Sequence, residues 1–300
     1  MPQAPTSRGT ISGNPMRHVV QPGPPAAERI RWVEARGRAF SFTLEAGTPL
    51  LEAARRGFAS AGFTSGVLNF SGGALAPFAY VMPSLSKTGE HAAFYSDTFQ
   101  AVGISQLKIA TMTFGVRDGA PFFHCHALWT EGDGRFTGGH ILPEATFVAE
   151  STVVQAFGID GAAFEAVQDN ETNFKLFEPV AASATGADAI SRAFVLRLRP
   201  NQDFATSLED FCHARGISSA RLRGRVGSII GARFSDGRVV EPFVTEMAVS
   251  SGEVRPAADS SPAAELHVAL VDHHGGTAEG VLARGNNPVL MTMELVLEVL

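Results

Sequence analysis

The feature that most limits what this chain can fold into is an internal repeat. Arg192-Ala193-Phe194 restates Arg38-Ala39-Phe40, and Gly216-Ile217 restates Gly62-Phe63. Further on, the run from Glu265 to Val271 matches the run around His126. Without gaps, His126 falls on His267, Gly134 on Gly275 and Gly139 on Gly280, while His124 becomes Glu265 and His140 becomes Val281. With three inserted residues, Glu150 falls on Glu294. Such self-similarity means one structural unit built twice. The second copy keeps one of three histidines, so it reads as scaffold or as a partner that completes a shared pocket. The chain then divides into a Pro/Gly/Ser-rich arm over 1–28, read as disordered, a first unit over 30–180 and a second over 190–300. The stretch A-A-S-A-T-G-A-D at 181–188 links the two, and 300 residues suffice for two domains.

Within each unit the pattern is α/β (α+β): a mixed sheet with one packed helix. Arg38 to Leu44 alternates apolar and polar residues and predicts a strand. Thr48 and Pro49 suit the N-cap and first position of a helix whose stripe is Leu50, Leu51, Ala54 and Phe58, with Gly62 closing it. Further strands are expected over 66–70, 104–114 and 147–157, the last with Glu150 inside an apolar run. Ser71-Gly72-Gly73 lacks the spacing and the lysine of a phosphate-binding loop and reads as a tight turn. In the second unit a helix is expected over 201–214, with Phe204, Leu208, Phe211 and Cys212 on its stripe, followed by a strand from Ala220.

The chemistry concentrates in the first unit. F-F-H-C-H-A-L-W, residues 122–129, reads as a strand, and His124 and His126 flanking Cys125 share one face of it. E-G-D-G at 131–134 is a turn, and the returning strand carries Gly138, Gly139 and His140. Register decides whether the three histidines meet. A four-residue loop sets His140 opposite Cys125; a five-residue loop, or a bulge at the glycine pair, sets it opposite His126. The second arrangement is the one expected. Three neutral imidazoles on one hairpin face match a catalytic divalent-metal site, zinc above all, with one position left open. The competing reading is a set of hydrogen-bonded strand histidines without a metal.

Composition narrows the function classes. Net charge is −6, which argues against a broad nucleic-acid footprint and leaves room only for a local basic patch. No apolar run is long enough for a membrane span, and the first 28 residues lack the apolar core of a secretory signal. Two cysteines, one in each half, build no disulfide framework, and a cytoplasmic location is expected.

The order of strand, helix, glycine-rich strand end, H-C-H strand, G-G-H returning strand and Glu-bearing strand resembles the plant-and-prokaryote-conserved (PPC) domain family. The resemblance covers residues 38–178 well and 192–300 as a degenerate copy. It implies a mixed sheet with a helix across it, trimer-like self-association, a metal held by His124, His126 and His140, and Glu150 close to that metal. Family members are often described as DNA-binding because of plant proteins with an AT-hook. Here R-G-R at 36–38 and 223–225 lacks the following proline of such a hook and falls at expected strand edges.

A carboxylate in an apolar run needs a chemical role or a partner. Glu150 is therefore the expected general base, or a group that orients a histidine ring. Glu144 is a lesser candidate, read as a surface turn residue. His91 with Tyr95 is a remote candidate for substrate contact, and His273-His274 reads as turn sequence. Cys125 alternates with the histidines and belongs to the core. The expected function is metal-dependent hydrolysis of a small carboxylic acid derivative, a thioester, ester or lactone. The alternatives are a DNA-binding regulator and a metal- or ligand-binding assembly protein.

Overall fold

A computed structural model describes residues 17–300. The first copy runs β1 (Ile30–Leu44), α1 (Leu50–Ser60), β2 (Ser65–Phe70), β3 (Ser105–Arg117), β4 (Ala120–Thr130), β5 (Phe136–Ile141) and β6 (Thr152–Asp160). A hairpin follows, β7 (Ala162–Gln168) and β8 (Lys175–Ala181). The second copy repeats the order as β9 (Ser191–Leu198), α2 (Phe204–Ala214), β10 (Ala220–Arg233), β11 (Val239–Pro256), β12 (Pro262–Asp272), β13 (Thr277–Val281) and β14 (Val289–Val299). Short strands between residues 74 and 100 form a flap that lies beside β5.

Both copies use one sheet order. The first is β1-β6-β2-β3-β4-β5 and the second β9-β14-β10-β11-β12-β13, all antiparallel. The long β1 joins them: residues 36–44 pair with β6, and residues 30–37 pair with β9 of the other copy. The one parallel contact among the described residues is β3 with β7. The class is α+β, a mostly antiparallel sheet with two helices.

Each helix closes a core of its own. In α1, Leu50, Ala54 and Phe58 are fully buried and pack with Phe42, Phe114 and Phe123. In α2, Phe204, Leu208 and Cys212 do the same with Leu196, Met247 and Leu295. Burying one such side chain contributes about 1.5–3 kcal/mol. A third cluster, with Val67, Phe157, Phe164, Phe177, Val195 and Val296, draws on both copies and the β7–β8 hairpin. Beside it, Arg197 of β9 and Arg199 just past its end are buried against Asp169 and Glu178 of the hairpin, at 2.5–3.0 Å.

Several local expectations shift. The N-cap of α1 is Pro49, with no side-chain cap, rather than Thr48. Helix α2 begins at Phe204, not at 201, because the Asp203 carboxylate takes the Thr206 N–H at 2.9 Å and starts the helix there. Both R-G-R triplets lie inside strands β1 and β10 rather than at their edges. Of the arm expected over 1–28, the part before residue 17 lies outside the described residues. Residues 17–28 are docked, not disordered. Val19 is buried and exchanges two hydrogen bonds with the Asn201 side chain, and Gly23 N–H donates to Glu171 O.

Candidate metal centre

The hairpin β4–β5 has the five-residue loop. Thr130 pairs with Phe136, and His140 stands directly across from His126. The loop is held by Glu131, a buried carboxylate that accepts from Tyr80 Oη at 2.9 Å, Arg135 Nη2 at 2.5 Å and Val102 N at 3.0 Å. No register shift occurs at Gly138 or Gly139. Gly139 instead lets the flap approach. A Cβ there would stand 2.5 Å from the Val81 carbonyl oxygen, and the flap could not pair with β5.

All three histidines are buried, and one ring nitrogen from each lies within 4.8 Å of the other two. Their hydrogen bonds fix what those nitrogens can do. His124 Nδ1 meets Glu294 Oε2 at 2.9 Å, so it carries the proton and donates. His126 Nδ1 donates to the Met247 carbonyl at 3.2 Å. Both Nε2 atoms then present lone pairs, and they face each other at 3.1 Å. Two acceptors at that distance repel unless a cation or a proton stands between them. His140 Nδ1 is buried with no protein partner. This donor set fits a metal ion: lone pairs converge, and the outer N–H groups are tied to a carboxylate and a carbonyl, the kind of partner that orients ligating histidines. Burial, with help from neighbouring histidines, holds His126 and His140 well below the ordinary imidazole range, so both are neutral at neutral pH.

The carboxylates at the site come from the second copy. Glu294 lies on β14 and Glu246 on β11, with Glu246 Oε1 3.6 Å from His126 Nε2. Burial pushes Glu246 up to about 8. One oxygen of each carboxylate, Glu246 Oε2 and Glu294 Oε1, has no protein partner. An inner chamber of about 40 Å³ touches His124, His126, Glu246, Ser228 and Thr292, room for a water. An outer cavity of about 470 Å³ reaches His124, His140 and Glu294 and is rimmed by Tyr95, Arg117 and Lys175.

Glu150 is elsewhere. It is exposed, precedes β6 and lines neither chamber. The strand expected from residue 147 begins at Thr152, because Phe147 and Val148 are drawn into bridges with Pro49 and Leu75 and the chain bends at 149–150. The matching registers of β1–β6 and β9–β14 put Val153, not Glu150, on Glu294. No insertion separates the copies there. Glu246 and Glu294 are open to the same reasoning that singles out Glu150, a carboxylate in an apolar strand, as V-T-E-M-A-V and M-T-M-E-L-V show. What sequence spacing withholds is the face of the first copy that those strands cover. Glu144 is exposed and lines the outer cavity. Tyr95 packs on His140 with ring centroids 5.2 Å apart, whereas His91 meets Phe174 edge-on. Cys125 is buried in the first core, where burial pushes its thiol up.

Two copies of one α+β unit, with histidines of the first closed over by carboxylates of the second, make this a tandem-repeat protein with a candidate metal centre between its copies. Residues 186–300 match the family model of the Plants and Prokaryotes Conserved (PCC) domain, the family that the sequence resembles. The match falls on the copy that lacks the histidine trio. Among solved structures, the chain is similar to a plant- and prokaryote-conserved (PPC) protein of Pyrococcus horikoshii, at 18% identity and TM-score 0.39 over 50% of this chain and 97% of that one. It is also similar to a metal-containing protein from Archaeoglobus fulgidus, at 20% identity and TM-score 0.37 over 47% and 94%. No curated protein matches. No helix among the described residues is long and apolar enough to cross a membrane.

Proposed function

We propose that the protein is a metal-dependent enzyme that hydrolyses a small carboxylic acid derivative, such as a thioester, ester or lactone, at the centre between its copies. One observation carries the reading: two histidine Nε2 lone pairs point at each other at 3.1 Å while both Nδ1 protons are engaged elsewhere. His124, His126 and His140 would hold the ion, with zinc the first choice for three nitrogen ligands. When bound, such a metal polarises a carbonyl and eases the deprotonation of water.

The chain's own residues supply the rest. Glu294 holds His124 in the tautomer whose Nε2 faces inward. Glu246, whose carboxyl burial raises to about 8, takes the proton of a water in the inner chamber when ionised, so turnover rises with pH through that value, and it returns the proton to the leaving oxygen or sulfur. Arg117 and Lys175 at the rim share one counter-ion, Asp118, and Glu144 lines the same cavity, so the rim offers charges of both signs to a polar substrate. The outer cavity suits a small molecule.

The test is elemental analysis of protein purified without chelators, followed by a panel of thioesters, esters and lactones. One divalent ion per chain, absent from a folded His140→Ala variant, with turnover lost in Glu246→Gln, supports the proposal. A protein that takes up no metal even when zinc is offered back overturns it.

A further inference from the structure

On the second copy, Glu265, His267 and Val281 occupy the places of His124, His126 and His140, and among the described residues no strand lies over them. His267 is 44% exposed at its side chain and pairs with Glu265 at 2.9 Å. This face opens into a groove of about 690 Å³ that runs along β10, β11 and β12. Four arginines line it: Arg221, Arg225, Arg255 and Arg284.

Three of them have carboxylate partners. Arg221 and Arg255 share Glu253, and Arg284 pairs with Glu209 of α2 at 2.6 Å. Arg225 has none among the described residues. It is 5% exposed, and its guanidinium donates to the carbonyls of Val249, at 3.0 Å, and Leu222, with Nε left without a partner. The backbone puts it there. The register of β10 on β14 slips between Arg223 and Arg225, so Arg225 leaves the alternation that keeps Arg221 and Arg223 near the surface and turns inward. A buried cation without a counter-charge is costly. Nearby charge adds to the imbalance, since the carboxylates in the groove, Glu253 and Glu265, are already engaged.

We infer that this groove is an anion site in which Arg225, Arg221 and Arg255 receive the phosphoryl group of a phosphate or phosphate monoester. Guanidinium groups match phosphate oxygens in pairs, and such bonds are at their strongest at a partly buried site. Ser251 stands in the same groove as a further donor. The site is built from other residues than the metal centre and stands whether or not that centre is catalytic.

The experiment is titration calorimetry of metal-stripped full-length His140→Ala protein, so that the histidine centre contributes nothing, with inorganic phosphate in one arm and glycerol phosphate in the other. Expected is saturable binding that falls about tenfold or more in Arg225→Met. Tighter binding of the ester would mark a monoester as ligand, and equal or tighter binding of inorganic phosphate would mark the free ion. Because Arg225→Met alters a buried position, the exposed pair Arg221→Ala with Arg255→Ala is measured beside it and is expected to weaken binding as well. No saturable binding in the parent protein, or binding that both sets of variants leave intact, overturns the inference.

Discussion

Glu294 and Glu246 sit a few ångströms from the same imidazoles and do different work. Glu294 accepts from a proton-bearing Nδ1, so its effect is on how His124 is aimed. Replacing it with leucine keeps the volume and removes the acceptor. Metal affinity is expected to fall about 10- to 100-fold, while far-ultraviolet circular dichroism stays that of the parent. Competition with a chromophoric chelator measures the first quantity directly. Glu246 faces Nε2 at 3.6 Å and makes no hydrogen bond that orients a ring. Glu246→Gln is therefore expected to keep the ion and lose turnover by at least about a hundredfold, the usual size of a lost acid–base group. Glu150→Gln is the control, and neither metal content nor rate should move, because that side chain is exposed.

At the scale of elements, Asp203 shows how one residue starts a helix and ties it down. Its carboxylate takes the N–H of Thr206 at the head of α2 and the N–H of Asn287 at 2.7 Å, which fixes the chain leading into β14. Asp203→Ala removes a cap and strands a buried donor, a loss of about 2 kcal/mol together. The check is a urea melt in which the midpoint falls at unchanged slope. Much at this scale was legible beforehand. Alternation marked β1, the 3.6-residue stripe marked both helices, and the turn at 131–134 marked the hairpin whose register brings His140 across from His126. The repeat could be aligned by its glycines. What was not legible has a common cause. Periodicity reports which face of an element is buried but not what covers it, so Glu246 and Glu294, more than 100 residues from the histidines, carried no sign of their partners. Glu150 misled because the strand around it is interrupted by bridges to Pro49 and Leu75, contacts that spacing cannot foretell.

At the scale of the whole molecule, the two copies are not two beads on a string. Strand β1 pairs with both, and the third core cluster mixes their side chains. A positive-φ glycine, Gly224 of β10, crosses so near β2 that a Cβ on it would stand 2.0 Å from the Val67 Cβ. The candidate metal centre depends on the same seam. The first copy contributes every imidazole, while the second contributes both the carboxylate and the carbonyl that hold two of the Nδ1 protons. A chain cut in the linker at 181–188 separates donors from acceptors. The first fragment keeps His124, His126 and His140 on an uncovered hairpin face, where the proton is shared between Nδ1 and Nε2 without preference for the inward lone pair. It is expected to bind zinc at least about tenfold more weakly than the intact chain, the lower end of what losing such orienting groups costs. Mixing the two fragments should restore the affinity in proportion to complex formed, because the missing groups return with the second copy. Zinc titrations on the first fragment, the second, and their equimolar mixture measure this. A first fragment that matched the full chain would mean the trio is organised by its hairpin alone, and that the second copy closes the site without building it.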